Sequence, residues 1–98
     1  MQEIWKLLYN RYKVSNTGKV FDTIRNRELK LTQDKYGYLV ARIVLDNKAK
    51  IKKVHRLVAE AFLSDYNDNL QVNHKDENKA NNLVSNLEMC TNYYNCNY

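Results

Sequence analysis

The front of the chain alternates polar and apolar positions with the two-residue period of a β-strand. This alternation over residues 11–14 is followed by the turn-forming run Ser15-Asn16-Thr17-Gly18 and then by the apolar pair Val20 and Phe21. Serine, asparagine and glycine are typical of the tight turns that join two strands. The pattern predicts a hairpin with strands near 11–14 and 19–24.

A second hairpin is predicted further along. Residues 38–45 are rich in β-branched and apolar side chains, as in a strand that is largely buried. Residues 46–50 are polar and are predicted to form a loop, after which residues 51–54 return as the partner strand.

The period then changes to that of a helix. Five apolar residues fall at helical spacing and form one stripe: Val54, Leu57, Val58, Ala61 and Phe62. This stripe predicts a helix over about 55–63.

The back of the chain is more polar and contains shorter elements. We predict a loop over 64–69, a short extended segment over 70–72, a long polar loop over 75–82 and a strand over 87–90. Thr91 is a suitable N-cap for a terminal helix of about two turns over 92–98. The element pattern predicts an α+β fold with antiparallel hairpins in front of a helix.

Composition limits the class of protein. A chain of 98 residues with 44% hydrophobic and 28% charged residues can bury one core, which predicts a single globular domain. It contains no apolar run near the roughly 18 residues that a membrane span requires, and its amino terminus lacks the features of a signal peptide. We therefore expect no membrane association and a cytoplasmic location.

Charge divides the chain into two parts. Residues 1–56 carry 14 Lys+Arg and 5 Asp+Glu, whereas residues 57–98 carry 2 and 6, within a net charge of +5. A concentrated positive segment is typical of proteins that bind polyanions, because it neutralises phosphates and releases their counterions. A charged surface without a partner remains the alternative from charge alone.

Candidate chemistry centres on the histidines. The spacing of Cys90, Cys96, His55 and His74 does not fit a four-ligand zinc site. His74 lies between an extended segment and a polar loop, and the stretch 92–95 offers amide oxygens on the terminal helix. By local pattern alone, a single histidine is more often structural than a general base, and asparagines more often cap turns than bind metals.

Longer motifs change this assessment. The strings VHRLVAEAF at 54–62, VNHKDENKANN at 72–82 and NLEMCTNYYN at 86–95 occur in order. With these strings the chain resembles an HNH (ββα-metal) endonuclease, and it is especially similar to the phage intron-encoded homing nicking enzymes. Residues of the front resemble the small module, of NUMOD4 type, that often precedes this core: Glu3, Trp5, Lys6, Tyr12, Val14, Ser15, Asn16, Gly18 and Val20.

The resemblance implies a basic β-rich DNA-binding module over 1–53 and an HNH core over 54–98. It implies that His74 is the general base that activates water, and that Asn73 and Asn95 hold one divalent metal ion, Mg²⁺ or Mn²⁺, at the scissile phosphate. Asn86 matches the middle asparagine of the motif, which braces the loop between the two strands. His55 belongs to the pattern without a chemical role, and we expect it to pack against the core.

The resemblance also places the DNA contacts in the basic front, where a two-stranded ribbon can lie in a groove. The residues expected to contact double-stranded DNA are Arg25, Arg27, Lys30, Lys35, Arg42, Lys48, Lys50, Lys52, Lys53 and Arg56. Most of these contacts are expected to be to phosphates.

One departure bears on the metal. Close relatives carry aspartate at the position of Asn73, and two neutral amides are a poor cage for Mg²⁺, so we expect weak metal binding in the absence of DNA. The homing relatives also continue past the position of Tyr98 into helical specificity elements, which favours a weakly specific nick.

The sequence therefore predicts a metal-dependent DNA endonuclease, acting as a monomer with a dimer as the alternative, in a phage-infected bacterial cell. The second interpretation is a DNA-binding module that keeps the fold but cuts weakly or not at all. A third is a small phage protein whose basic face binds something other than DNA.

Overall fold

A computed structural model describes residues 2–90, and all structural statements concern these residues. Within this range the chain forms short strands and one α-helix. The elements are β1 (Trp5–Leu8), β2 (Tyr12–Ser15), β3 (Val20–Asp22), β4 (Arg27–Glu28), β5 (Thr32–Gln33), β6 (Leu39–Leu45), β7 (Lys48–Lys53), α1 (Val54–Phe62), β8 (Gln71–His74) and β9 (Leu87–Cys90). A 3-10 turn, Val84–Asn86, precedes β9.

The strands form three antiparallel sheets. The first has the order β1-β2-β3-β4, the second β5-β6-β7, and the third is the pair β8-β9. The predicted α+β class, with antiparallel hairpins followed by a helix, is confirmed. In the part of the chain described, no helix is long and apolar enough to cross a membrane.

The predicted elements are present with shifted ends. The helix covers Val54–Phe62, and the strand expected at 87–90 is present as β9. The extended segment expected at 70–72 is a four-residue strand that continues to His74. The predicted terminal helix over 92–98 lies outside the described residues.

Two aspects of the front differ from expectation. Strands β1, β4 and β5 were not predicted, because they are short and mostly exposed and so lack a clear apolar alternation. The loop expected over 46–50 is only the pair Asp46 and Asn47, whose φ angles of 51° and 62° form a tight two-residue turn. Strand β7 therefore begins at Lys48, and its lysines belong to the strand.

One core joins the three sheets through the helix. Val54, Leu57 and Val58 of α1 are at most 2% exposed and pack with residues of every sheet, including Tyr12, Ile43 and Leu87. The backbone N–H of Val44 donates to the Tyr12 hydroxyl oxygen at 2.7 Å, which links the first sheet to the second. The core thus contains residues from both predicted parts of the chain, the basic module over 1–53 and the HNH core over 54–98. The boundary at residue 53 stays a prediction.

A partly buried ion pair closes the end of the first sheet. Arg11 donates from Nε and Nη2 to the two carboxylate oxygens of Asp22 at 3.0 and 2.9 Å, and the backbone N–H of Ile24 donates to Oδ1. The Asp22 side chain is 2% exposed. The Arg11 guanidinium and the backbone N–H groups of Arg25 and Ile24 lower the pKa of Asp22 from 3.8 to about 2.

Asp22→Asn is expected to lower the free energy of unfolding at pH 7 by about 2 kcal/mol, because it leaves the Arg11 charge without its partner. Because the folded pKa is lowered, the stabilisation is present above pH 3.8 and is lost as the pH falls toward 2. Urea unfolding at pH 7 and at pH 3 measures both effects. The control is Glu3→Gln, which removes the solvent-accessible 3.5 Å pair with Lys19 and is expected to change the free energy of unfolding much less than Asp22→Asn does. Equal losses in the two variants would contradict the prediction.

Candidate active site

The candidate site lies where strand β8 ends. Asn73 pairs with Glu88 and His74 pairs with Leu87 across the β8-β9 ladder. Asn73 and His74 line one open cleft of about 250 Å³, which is also bordered by Tyr38 and Lys79. The strand therefore brings the predicted base and one predicted metal ligand into the same cleft.

His74 is 5% exposed and is fixed on two sides. Its Nε2 lies 2.8 Å from Oδ1 of Asn82. Its ring centroid lies 4.8 Å from that of His55 and 6.0 Å from that of Tyr38. These contacts fix the orientation of the His74 ring, unlike that of a freely rotating surface side chain.

His55 forms the wall behind His74. It begins the first turn of α1, is 6% exposed, and stacks on Tyr38 with the ring centroids 5.1 Å apart. Its Nδ1 is buried and has no hydrogen-bond partner among residues 2–90. Burial, followed by the nearby charges of His74, Lys53 and Arg56, lowers the pKa of His55 from 6.5 to about 3. His55 is therefore neutral at physiological pH, and its burial agrees with the expected packing role.

Asn73 offers one hard oxygen to the cleft. Its Nδ2 donates to Oε1 of Glu88 at 2.9 Å, which directs the amide oxygen away from that carboxylate. Residues 2–90 contain no cluster of three histidine, cysteine, aspartate or glutamate residues that could hold a metal. An amide oxygen next to a carboxylate fits a hard ion such as Mg²⁺, which takes few protein ligands and keeps waters or substrate phosphates. Asn95, the other predicted ligand, lies outside the described residues.

Asn86 holds the loop between β8 and β9. Its Nδ2 donates to Oδ1 of Asp76 and to the carbonyl of Asn81, both at 2.9 Å, and its Oδ1 accepts from the Asp76 N–H. Hydrogen bonds from the Asn81 amide, the Asn78 N–H and Asn86 lower the pKa of Asp76, so its carboxylate stays ionised. These contacts brace the loop that follows His74, while a part for Asn86 in catalysis stays a prediction.

The basic residues expected to contact DNA do not share one face. In the β6-β7 register, Lys48, Lys50 and Lys52 lie opposite Leu45, Ile43 and Ala41, so these lysines project on the side of β6 that faces the core. On the other side of the hairpin lie Arg42 and Lys53. The remaining exposed members of the set lie in the segment before β6, namely Arg25, Arg27, Lys30 and Lys35.

Two members of the set have specific surroundings. The Arg56 guanidinium donates to the carbonyls of Leu70 and Asp68 and to the Tyr66 hydroxyl, so it anchors the segment that leads into β8. The ammonium of Lys53 lies 4.6 Å from the centroid of the Tyr38 ring, at the edge of the candidate site. Contact of either residue with DNA stays a prediction.

Sequence reasoning missed several residues of the site. Lys79 lies 4.9 Å from the centroid of the Tyr38 ring, so that ring carries an ammonium group from each of two distant segments. Glu88 and Asn82 contact Asn73 and His74 from across the strand pair and its loop. The only signal in the sequence was their membership of the long motifs, which does not say what each side chain contacts.

Two family profiles cover most of the chain. Residues 3–44 match the NUMOD4 motif, and residues 52–96 match the HNH endonuclease family. The NUMOD4 match thus precedes the HNH match along the chain, in the order that the resemblance implied. The chain belongs to the HNH endonuclease family.

Individual relatives agree with this assignment. The chain is 44% identical over 80 residues to the DNA endonuclease I-HmuI of Bacillus phage SP01, covering 82% of this chain and 46% of that protein. It is 42% identical over 82 residues to the uncharacterized HNH endonuclease L245 of Acanthamoeba polyphaga mimivirus, covering 84% and 25% respectively. The H-N-H endonuclease F-TflII of Escherichia phage T5 is 33% identical over 85 residues, covering 85% and 44%.

A solved structure has the same fold. It is described as DNA binding and cleavage by the HNH homing endonuclease I-HmuI, and it superposes with a TM-score of 0.82 at 39% identity, over 95% of this HNH chain and 54% of that one. The chain thus spans about half or less of the length of the relatives it matches.

The pKa of His55 generates a prediction about stability. Between pH 6.5 and about 3 the unfolded chain binds a proton at His55 that the folded chain does not, so the group destabilises the fold by up to about 1.4 kcal/mol for each pH unit below 6.5. In His55→Phe, which keeps an aromatic ring, the free energy of unfolding is expected to fall less steeply with acid. Denaturant unfolding at several pH values from 7 to 4 measures the two slopes, and equal slopes would show that His55 titrates normally.

Proposed function

We propose that this chain is a metal-dependent DNA endonuclease that hydrolyses one phosphodiester bond and leaves 3′-hydroxyl and 5′-phosphate ends. The observation that carries the proposal is the cleft at the end of β8, where the held ring of His74 and the amide of Asn73 lie together. The similarity to the I-HmuI structure supports it, because that protein binds and cleaves DNA.

In this proposal His74 is the general base. A neutral imidazole accepts a proton effectively near pH 7, and a base must be oriented toward the proton that it removes. The contacts with Asn82, His55 and Tyr38 provide that orientation. Because His55 is itself neutral, it does not place a second positive charge against His74 at this pH.

Asn73, with Asn95, would hold one divalent ion, Mg²⁺ or Mn²⁺. When bound, such an ion supplies positive charge that stabilises the scissile phosphate and the leaving 3′ oxygen. Glu88 keeps the Asn73 amide turned so that its oxygen, not its nitrogen, is available. Because the protein ligands named are neutral, substrate phosphate would complete the charge balance, which fits the expected weak metal binding without DNA.

Double-stranded DNA is the proposed partner. Lys53 and Lys79 lie at the border of the site, and the basic residues of the front extend from there over both faces of the β6-β7 hairpin. One active site cuts one strand per event, so we propose a nick by a monomer. The named relatives come from phages and a giant virus, which is consistent with action on DNA in an infected cell.

Conversion of supercoiled plasmid to nicked circles tests the proposal. Wild type with Mg²⁺ or Mn²⁺ is expected to nick, while EDTA abolishes the product and His74→Ala lowers the rate by at least about a hundredfold, because the base is lost. His74→Ala is expected to keep its affinity for DNA and the steep salt dependence of phosphate contacts. Salt-sensitive DNA binding by wild type without nicking in either metal would instead favour the non-catalytic binding module. Metal-dependent nicking that persists in His74→Ala would reject His74 as the base.

Asn73→Asp tests the proposed metal ligand. A carboxylate in place of the amide, next to Glu88, is expected to lower the Mg²⁺ concentration for half-maximal nicking by about tenfold, because it adds a charged hard oxygen. The matched control is Asn78→Asp, which adds the same charge to the exposed loop after β8 and is expected to leave the Mg²⁺ dependence unchanged. An identical shift in both variants would mean that overall charge, and not a ligand at residue 73, sets the dependence.

A further inference from the structure

Asn82 makes the one side-chain hydrogen bond recorded for His74 within residues 2–90. The asparagine is 4% exposed and lies just beyond the loop that follows β8. Its Oδ1 lies 2.8 Å from His74 Nε2, and an amide oxygen can only accept a hydrogen bond. A neutral His74 therefore carries its proton on Nε2 and presents an unprotonated Nδ1, the nitrogen that can act as a base.

Burying the Asn82 amide is energetically costly, which indicates that its hydrogen bond to His74 has a role other than stability. Among residues 2–90 the Asn82 Nδ2 has no hydrogen-bond partner, and an unsatisfied buried amide group is destabilising. A leucine of similar volume would fill the space without that cost. The bond to His74 is thus the contact that distinguishes Asn82 from an apolar residue at this position.

Asn82 is held from the other side by the first sheet. Gly18, in the turn between β2 and β3, has a φ of +97°, and a Cβ atom added there would lie 2.9 Å from the Asn82 Cβ. The same turn region fixes the backbone beyond Asn82, because the Val84 N–H donates to the Asn16 carbonyl at 2.9 Å. Ser15 Oγ keeps the turn closed by accepting from the N–H groups of Lys19 and Thr17. The backbone at Gly18 therefore lies so close to Asn82 that a side chain at residue 18 would collide with it.

We propose that Asn82 is a positioning residue for His74, and that the turn at Gly18 holds Asn82 in place. The N-terminal module would then take part in catalysis by fixing the tautomer and orientation of the base, in addition to any contact with DNA. The catalytic half of this inference rests on the proposed function, whereas the tautomer of His74 is a property of the protein without substrate.

Two substitutions at residue 82 test the bond. Asn82→Leu keeps the volume but removes the acceptor, whereas Asn82→Asp keeps an acceptor oxygen. Long-range ¹H–¹⁵N NMR, at a pH where the imidazole is neutral in every variant, distinguishes the tautomers. Wild type and Asn82→Asp are expected to show His74 with its proton on Nε2, and Asn82→Leu a mixture. Nicking by Asn82→Leu is expected to show a kcat lowered by about a hundredfold with KM unchanged, and Asn82→Asp to recover most of it.

Two glycines provide a matched test of the module's part. Gly18→Ala and Gly37→Ala place a side chain at nearly equal positive φ, +97° and +94°, so both strain the backbone similarly. A Cβ at Gly37 meets its nearest neighbour, Lys79 Cδ, only at 3.7 Å, so that variant does not press on Asn82. Gly18→Ala is expected to perturb the His74 tautomer and kcat, and Gly37→Ala to leave the tautomer as in wild type.

The outcomes separate the two proposals. An unchanged tautomer and kcat in Asn82→Leu would overturn the positioning role, and equal effects of Gly18→Ala and Gly37→Ala would overturn the part of the module. If Asn82→Leu does not fold, the glycine pair and Asn82→Asp decide the same question. A wild type that never nicks DNA, with the tautomer shift still present, would overturn the proposed endonuclease activity and leave the contact between Asn82 and His74 established.

Discussion

The packing of α1 is the constraint on which the rest of the structure depends. Sheets of two to four short strands are marginal on their own, and here each of the three covers part of one helix. The buried stripe of Val54, Leu57 and Val58 provides the common surface. Because the first turn of the same helix carries His55, the packing of the core also places one wall of the candidate site. Loss of any one sheet would therefore disturb the wall behind His74.

The electrostatics of the site follow from that placement. The first turn of α1 puts His55 in the core next to His74 while Lys53 and Arg56 flank it. Burial keeps His55 uncharged, so the positive charge at the border comes from lysines that reach the Tyr38 ring from β7 and from the loop after β8. In the proposed function, a phosphate in the cleft would lie next to these ammonium groups, and the neutral His55 would not add a charge of its own beside His74.

Sequence pattern predicted the elements that bury a regular apolar stripe or alternation, namely α1, β2, β3, β6 and β9. It missed β4 and β5, which have two exposed residues each. It predicted the partner strand of β6 but began it at residue 51, whereas β7 begins at Lys48, because the tight turn of Asp46 and Asn47 and the pairing with β6 set the register of this edge strand. In such segments the hydrogen-bonded neighbour, and not the side-chain pattern, fixes the conformation.

The site shows the same limit at the level of single side chains. Residue type and motif identified His74, Asn73 and Asn86 as candidates, but several asparagines near the loop after β8 look alike in the sequence. In the structure Asn86 braces the loop, Asn78 caps a turn through Oδ1, and Asn82 contacts His74. What separates Asn82 from the others is its contact with a turn more than sixty residues earlier. The proposed positioning role of Asn82 therefore depends on two contacts, with His74 on one side and with the Gly18 turn on the other, that only the three-dimensional structure brings together.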